Sequence, residues 1–152
     1  HDVGMLSEAG CPGIADPGDV LAEIAHRKGI RVSPLVGPSS ILLSLMASGF
    51  NGQQFTFLGY LPSDKNARIT KLKEIEKRSQ QRKETQIFIE TPYRNQHMLE
   101  DILAHCGDAT KLCVVSNVSL ENELIISKPI AEWKKMGPLD LHKQPTVFLI
   151  LA

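Results

Sequence analysis

Apolar positions alternate between two spacings along the chain, and each switch of spacing marks a new element. Residues 3–6 are a short apolar run that predicts a strand. Residues 19–28 place Val20, Leu21, Ile24 and Ala25 at the i, i+3, i+4 spacing of an amphipathic helix, with Gly29 suited to its C′ position. Residues 30–34 predict a second short strand. Residues 40–48 are apolar nearly all round (Ile41, Leu42, Leu43, Leu45, Met46), which predicts a helix buried on several sides. Gly49 and Asn51-Gly52 then break the pattern, and a lobe boundary is expected there, separating residues 1–50 from residues 53–152.

Past that break the period-two signal returns. Residues 55–60 alternate as a strand, and Ser63 or Asp64 can cap a long helix over residues 65–82. Its buried stripe is narrow (Ala67, Ile69, Leu72, Ile75), and Lys65, Arg68, Lys71, Lys73, Lys77, Arg78 and Arg82 outnumber its acids. A solvated charged face is the default reading of such a helix, with an RNA-contacting surface as the alternative. Residues 85–90 predict a strand, Thr91-Pro92-Tyr93-Arg94 a turn, and residues 95–106 a helix that buries Met98, Leu99, Ile102 and Leu103 before Gly107. Strands are expected at residues 112–115 and 124–127, and a short helix anchored by Trp133 at residues 130–135. Residues 145–151 form a continuous apolar run suited to a buried strand. Strands in alternation with helices indicate an α/β protein.

Composition narrows the field only mildly. A chain of 152 residues with 42% apolar content suffices for one domain or two small lobes. Seventeen basic residues balance seventeen acidic ones, so no global field draws the chain to nucleic acid or membrane. No apolar run is long enough to span a bilayer, and no membrane partner is expected. Cys11, Cys106 and Cys113 form no C-x-x-C pair, which points to reduced thiols in a cytoplasm and to neither a disulfide framework nor a metal site.

The densest turn chemistry lies between the first strand and the first helix. Ser7-Glu8-Ala9-Gly10-Cys11-Pro12-Gly13-Ile14-Ala15-Asp16-Pro17-Gly18 holds three glycines and two prolines, more than a plain connection needs. Glycine lets backbone approach a ligand closely, and a loop at the carboxyl end of a strand is where open α/β sheets place ligands. On composition alone, an ordinary Gly/Pro turn explains it equally well. Val32-Ser33-Pro34-Leu35-Val36-Gly37-Pro38-Ser39-Ser40 repeats the arrangement, with Ser39 or Ser40 as a natural N-cap whose helix start offers free N–H groups. Two such loops suggest one shared pocket. A dinucleotide fold is disfavoured, since no G-x-G-x-x-G follows a predicted strand.

A-G-C-P-G-I-x-D-P-G followed by P-L-V-G-P-S-S resembles the tetrapyrrole (corrin/porphyrin) methylase family, nearest to its ribosomal RNA small-subunit 2′-O-ribose methyltransferase branch. G-Y-L-P at residues 59–62, I-F-I-E-T-P-Y-R at residues 87–94 and Q-P-T-V-F-L-I at residues 144–150 follow in the family's order. The resemblance implies a two-lobed class III (tetrapyrrole methylase-like) α/β methyltransferase that folds S-adenosyl-L-methionine into the cleft between its lobes. It assigns Ala9, Gly10, Cys11 and Ile14 to a first cofactor loop and Ser39 and Ser40 to a second. Glu90, Asn117, Pro145 and Thr146 are the carboxyl-lobe contributions, with Glu90 near the methionine part and Pro145-Thr146 beside the adenine. A capping or ion-paired role for Glu90, with Arg94 as partner, is the alternative. The resemblance further implies a homodimer and a ribosomal RNA substrate.

Two features set this chain apart. The ribosomal branch has R-E-L-T-K where Ser116-Asn117-Val118 stands, so a charged pair and a lysine are missing here. The chain also opens on His1-Asp2-Val3-Gly4, which by resemblance lies inside the amino-terminal lobe, past the first glycine-rich loop of the cofactor site. An amino-terminally truncated fragment is therefore expected, weak in cofactor binding and inactive alone, with bare apolar surface on residues 3–6 and 40–48. No residue recommends itself as a general base: His26, His97, His105 and His142 all fall on predicted helix surfaces or loops. A corrin or porphyrin methylase, or a non-catalytic dimer-forming module, remain alternative readings.

Overall fold

A computed structural model describes all 152 residues. Its sheet lies wholly in the second part of the chain, with β1 (Phe55–Tyr60), β2 (Thr85–Ile89), β3 (Lys111–Ser116), β4 (Leu124–Pro129) and β5 (Thr146–Leu151) in the order β1-β2-β5-β3-β4. β1 and β2 run parallel, joined by the crossover helix α3 (Lys65–Arg82), numbered after α1 (Asp19–Arg27) and α2 (Ser40–Ser48). β5 enters between β2 and β3, antiparallel to both, and β4 closes the far edge antiparallel to β3. α4 (Asn95–His105) and the short α5 (Ile130–Trp133) complete the fold.

The two faces of the sheet build separate cores. Phe88, Leu112, Val114, Phe148 and Ile150 pack with Leu72 and Ile75 of α3, Met98 and Ile102 of α4, and Trp133 of α5. Ile87, Cys113, Val115, Val147 and Leu149 point the other way and pack with Ile41 and Leu45 of α2. Alternation along β2, β3 and β5 feeds both cores, which explains the unbroken apolar run of β5. The edge strand β4 has no buried residue: Leu124, Ile126 and Pro129 are half-buried and the rest exposed. Trp133 donates its Nε1–H to the Leu112 carbonyl at 2.9 Å, satisfying the indole while its ring fills the core.

Helix limits follow capping chemistry. Asp64 Oδ1 accepts the Ala67 N–H at 2.9 Å at the start of α3, and Lys83 ends that helix in the left-handed region, φ 53°. Its buried stripe differs from the expected one: Leu72 and Ile75 are buried as expected, but Arg68 and Ser79 join them, while Ala67 is exposed and Ile69 half-buried.

Two other expectations are corrected. Residues 3–6 and 30–34 form no strand. An apolar run becomes a strand only where a neighbour supplies the other half of the ladder, and residues 1–40 contain no strand to pair with. The helix over residues 40–48 forms but is buried on one face only, with Leu42 52% and Met46 79% exposed. The chain divides into compact units at residues 1–40 and 41–152, ahead of the Gly49–Gly52 break, because Ile41 and Leu45 pack on the sheet.

Candidate functional site

In the unit of residues 1–40, the loop before α1 is shaped by backbone that only glycine adopts easily. Gly10 and Gly13 stand at φ 75° and 76°, and a Cβ at either would meet nothing within 4 Å. Gly18 is different: at φ 146° its Cβ would fall 2.5 Å from Met5 Cε and 3.3 Å from the Gly13 nitrogen. The Ser7 hydroxyl donates to the Ala9 carbonyl at 2.8 Å, and Ile14 N–H closes a turn on the Cys11 carbonyl at 3.2 Å. The Cys11 thiol lies 3.2 Å from the Pro38 carbonyl, which joins this loop to the one ending at Ser39 and Ser40. Ala9, Gly10, Cys11 and Ile14 are thus brought beside the second loop. An open cleft of about 830 Å³, with Met5, Ala9, Gly18 and Leu21 among its walls, flanks the first loop.

In the unit of residues 41–152, a second group gathers at one end of the sheet. β2 and β3 finish there and β5 begins, with Ser116 opposite Thr146 and Ile89 opposite Val147. Glu90, Asn117, Pro145 and Thr146 therefore share that edge. The Glu90 side chain is fully buried, and its Oε1 accepts the Thr91 N–H at 2.6 Å and the Arg94 Nη2 at 2.7 Å. The ion pair with Arg94, the alternative read from the sequence, is therefore formed. It leaves Glu90 Oε2, Arg94 Nε and the adjacent Asn95 Oδ1 buried without a partner.

Asn117 sits at φ 51°, turned there so that its N–H donates to the Pro145 carbonyl at 3.0 Å. Its Nδ2 donates to Gln144 Oε1 at 3.0 Å. The Thr146 hydroxyl donates to the Gln144 carbonyl at 3.0 Å, which also accepts from Asn95 Nδ2 at 2.6 Å. Gln144 and Asn95 are central to this edge and were not singled out from the sequence. The only signal for Gln144 was its place before Pro145. Of the histidines, His26, His97 and His142 are exposed and His105 half-buried; His142 lies edge-on to Tyr93 with ring centroids 6.0 Å apart.

A mixed sheet with helices on both faces and polar loops gathered at one end is an α/β architecture. Solved structures agree: diphthine synthase superposes with TM-score 0.59 at 16% identity, covering 94% of this chain and 57% of that one. The methyltransferase CobJ gives TM-score 0.58 at 17% identity, over 93% of this chain and 61% of its own. At that identity the likeness is one of fold. Residues 1–134 match the family described as Tetrapyrrole (Corrin/Porphyrin) Methylases, and the chain belongs to that family. The expectation drawn from the loop motifs holds, although Pro145 and Thr146 lie beyond the matched residues.

Among curated relatives, Ribosomal RNA small subunit methyltransferase I of Vibrio cholerae is 36% identical over 130 residues, 86% of this chain and 44% of that protein. The protein of that name from Pseudomonas aeruginosa is 34% identical over all 152 residues, and over 52% of its own length. The chain spans about half the length of the curated relatives it matches. No helix is long and apolar enough to cross a membrane.

Proposed function

We propose that this chain serves an S-adenosylmethionine-dependent methyltransferase acting on small-subunit ribosomal RNA, at a ribose 2′-hydroxyl. The observation that carries the reading is the sheet edge where Glu90, Asn117, Pro145 and Thr146 converge beside two unpartnered buried acceptors, Glu90 Oε2 and Asn95 Oδ1. Buried acceptors without donors are costly unless something fills them. The methionine end of the cofactor carries an ammonium group, so the donor it offers fits those acceptors. The RNA substrate is supported by relatives that are ribosomal RNA small subunit methyltransferases.

When bound, the cofactor supplies an electrophilic methyl group on a sulfonium. Protein groups then need only hold donor and acceptor in line, a task for positioned backbone more than for an acid–base pair. Gly10 and Gly13 leave the backbone of the first loop uncovered, and Ala9, Cys11 and Ile14 set its path beside Ser39 and Ser40. Glu90 supplies a carboxylate oxygen, and Pro145-Thr146 with Asn117 forms a flat edge suited to the adenine. A homodimer in a reducing cytoplasm belongs to the same proposal, supported by Val3 and Leu6 at 84% and 93% exposed and by three unpaired cysteines.

A methylase acting on a corrin or porphyrin precursor is the second reading. It is favoured by the neutral Ser116–Asn117–Gln144 network, which offers no charge to a phosphate backbone. Labelled methyl transfer from S-adenosylmethionine to small ribosomal subunits, run beside tetrapyrrole precursors, separates the two. Labelled ribose supports the first reading, a labelled tetrapyrrole the second. A calorimetric titration of a chain of the relatives' full length with no cofactor binding overturns both, and light scattering at high concentration tests the dimer.

A further inference from the structure

We infer that Gln144 is the positioning residue for this sheet edge, fixing the approach of Asn117 and Thr146 to whatever the edge binds. The amide group does this through an ordered chain of contacts. Its Nε2 donates to the Asp140 carbonyl at 3.1 Å, and a carbonyl can only accept, so the orientation of the amide is set. Oε1 must then face the other way, where Asn117 Nδ2 donates to it at 3.0 Å and the Ser116 hydroxyl lies at 3.1 Å. Asn117 is thereby fixed in turn, with its Oδ1 left as the group free to accept from a ligand.

The backbone of Gln144 completes the arrangement. Its carbonyl receives Asn95 Nδ2 and the Thr146 hydroxyl, so one residue ties the start of α4, the end of β3, the loop at Asp140 and the start of β5. Asn117 is held at a left-handed φ of 51°, a conformation asparagine tolerates better than other residues with a side chain, and there its N–H reaches the Pro145 carbonyl. Gln144 is only half-buried and fills none of either core, so its contacts serve the edge and not the packing. The inference deepens the cofactor reading above and rests on it for the identity of the ligand.

Two substitutions separate positioning from general stability. Gln144→Met keeps length and removes both donor and acceptor; Gln144→Glu keeps an acceptor for Asn117 and Ser116 and loses the donor to Asp140. By amide exchange in the unliganded protein, Gln144→Met should lose protection at the Asn117 N–H while Val114 and Phe148 keep theirs. Gln144→Glu should retain more of it. Titration with S-adenosylhomocysteine should show Gln144→Met weakened roughly tenfold to a hundredfold and Gln144→Glu by clearly less. Unchanged exchange at Asn117 in Gln144→Met overturns the inference, and so do equal losses in both variants. Absence of S-adenosylhomocysteine binding by the unsubstituted protein at the relatives' full length overturns the cofactor reading alone, since exchange at Asn117 still reports on Gln144.

Discussion

Arg68 of α3 and Asp101 of α4 meet in an ion pair closed off from solvent, with Nη2 2.6 Å and Nε 2.8 Å from Oδ2. Both side chains are more than nine-tenths buried, and Nη1 of the same guanidinium donates to the Ser63 carbonyl at 2.9 Å. The pair locks the two helices that cover one face of the sheet, where a purely apolar contact could slide.

Breaking it from one side leaves a buried charge without its counterion. Arg68→Ala or Asp101→Ala should each destabilise the protein by about 3–5 kcal/mol, read as a lower urea midpoint by Trp133 fluorescence. The double replacement Arg68→Met with Asp101→Leu should recover most of that loss, because two buried charges are removed together. A single variant as stable as the unsubstituted protein would show that water reaches the pair.

That pair also shows where sequence reading stops. The α3 stripe was legible at Leu72 and Ile75 because apolar residues at helical spacing must find a core. Arg68 looked like one more surface cation, since nothing local reveals a partner thirty-three residues away. All five strands of the sheet were legible from their apolar alternation and from β5's unbroken run. The strands expected at residues 3–6 and 30–34 failed for the opposite reason: a strand is a property of a pair, and one run cannot report its neighbour. The sheet edge divided the same way. Motifs direct attention to Glu90, Asn117 and Thr146, whereas Gln144 and Asn95 join that edge through hydrogen bonds that have no periodicity to read.

The buried thiols predict an alkaline limit to stability. Burial pushes Cys106 from 9.0 up to about 12, aided by the nearby Glu76 carboxylate and opposed by Lys134. Burial likewise raises Cys113 to about 11, partly offset by its hydrogen bond with Ser127. A thiol held protonated in the folded state but free to ionise when unfolded makes its contribution in full below pH 9.0; that contribution fades as pH climbs toward the folded value. Each thiol should steepen the loss by at most about 1.4 kcal/mol per pH unit in that window. Urea midpoints from pH 8 to 11 should flatten in Cys113→Ala relative to the unsubstituted protein, by roughly that slope. Parallel slopes would mean the thiol ionises in the folded state.

Gly10 and Gly18 should respond differently to substitution. Gly18→Ala meets Met5 and the Gly13 nitrogen at once, so the loop must rearrange whether or not a ligand is present. Gly10→Val meets no protein atom, and its intrinsic cost is the left-handed backbone, about 1–2 kcal/mol and local. In a chain of the relatives' full length, calorimetry should show Gly10→Val weakening S-adenosylmethionine roughly tenfold or more, with the sheet's unfolding midpoint unchanged. Undiminished binding would place the cofactor elsewhere than the first loop.

Exchange kinetics should separate the two units and then report on the ligand. No residue among residues 1–40 is buried, and α1 has no buried side chain at all. Its hydrogen bonds, such as Lys28 N–H to the Ile24 carbonyl at 3.1 Å, are therefore protected only by helix formation, which is marginal at nine residues. Phe148 and Val114, by contrast, lie fully buried in central strands and open only with the whole sheet. Amides of α1 should exchange by local opening, faster than those of β3 and β5 by several orders of magnitude. Equal protection in α1 and β5 would mean that residues 1–40 are held by packing not seen here. Addition of S-adenosylmethionine should slow exchange at Cys11, Ile14, Asn117 and Thr146 and leave Lys73 and Lys77, on the exposed side of α3, untouched. Slowing confined to Asn117 and Thr146 would assign the ligand to the sheet edge without the first loop, and uniform slowing throughout would indicate general stabilisation instead of a site.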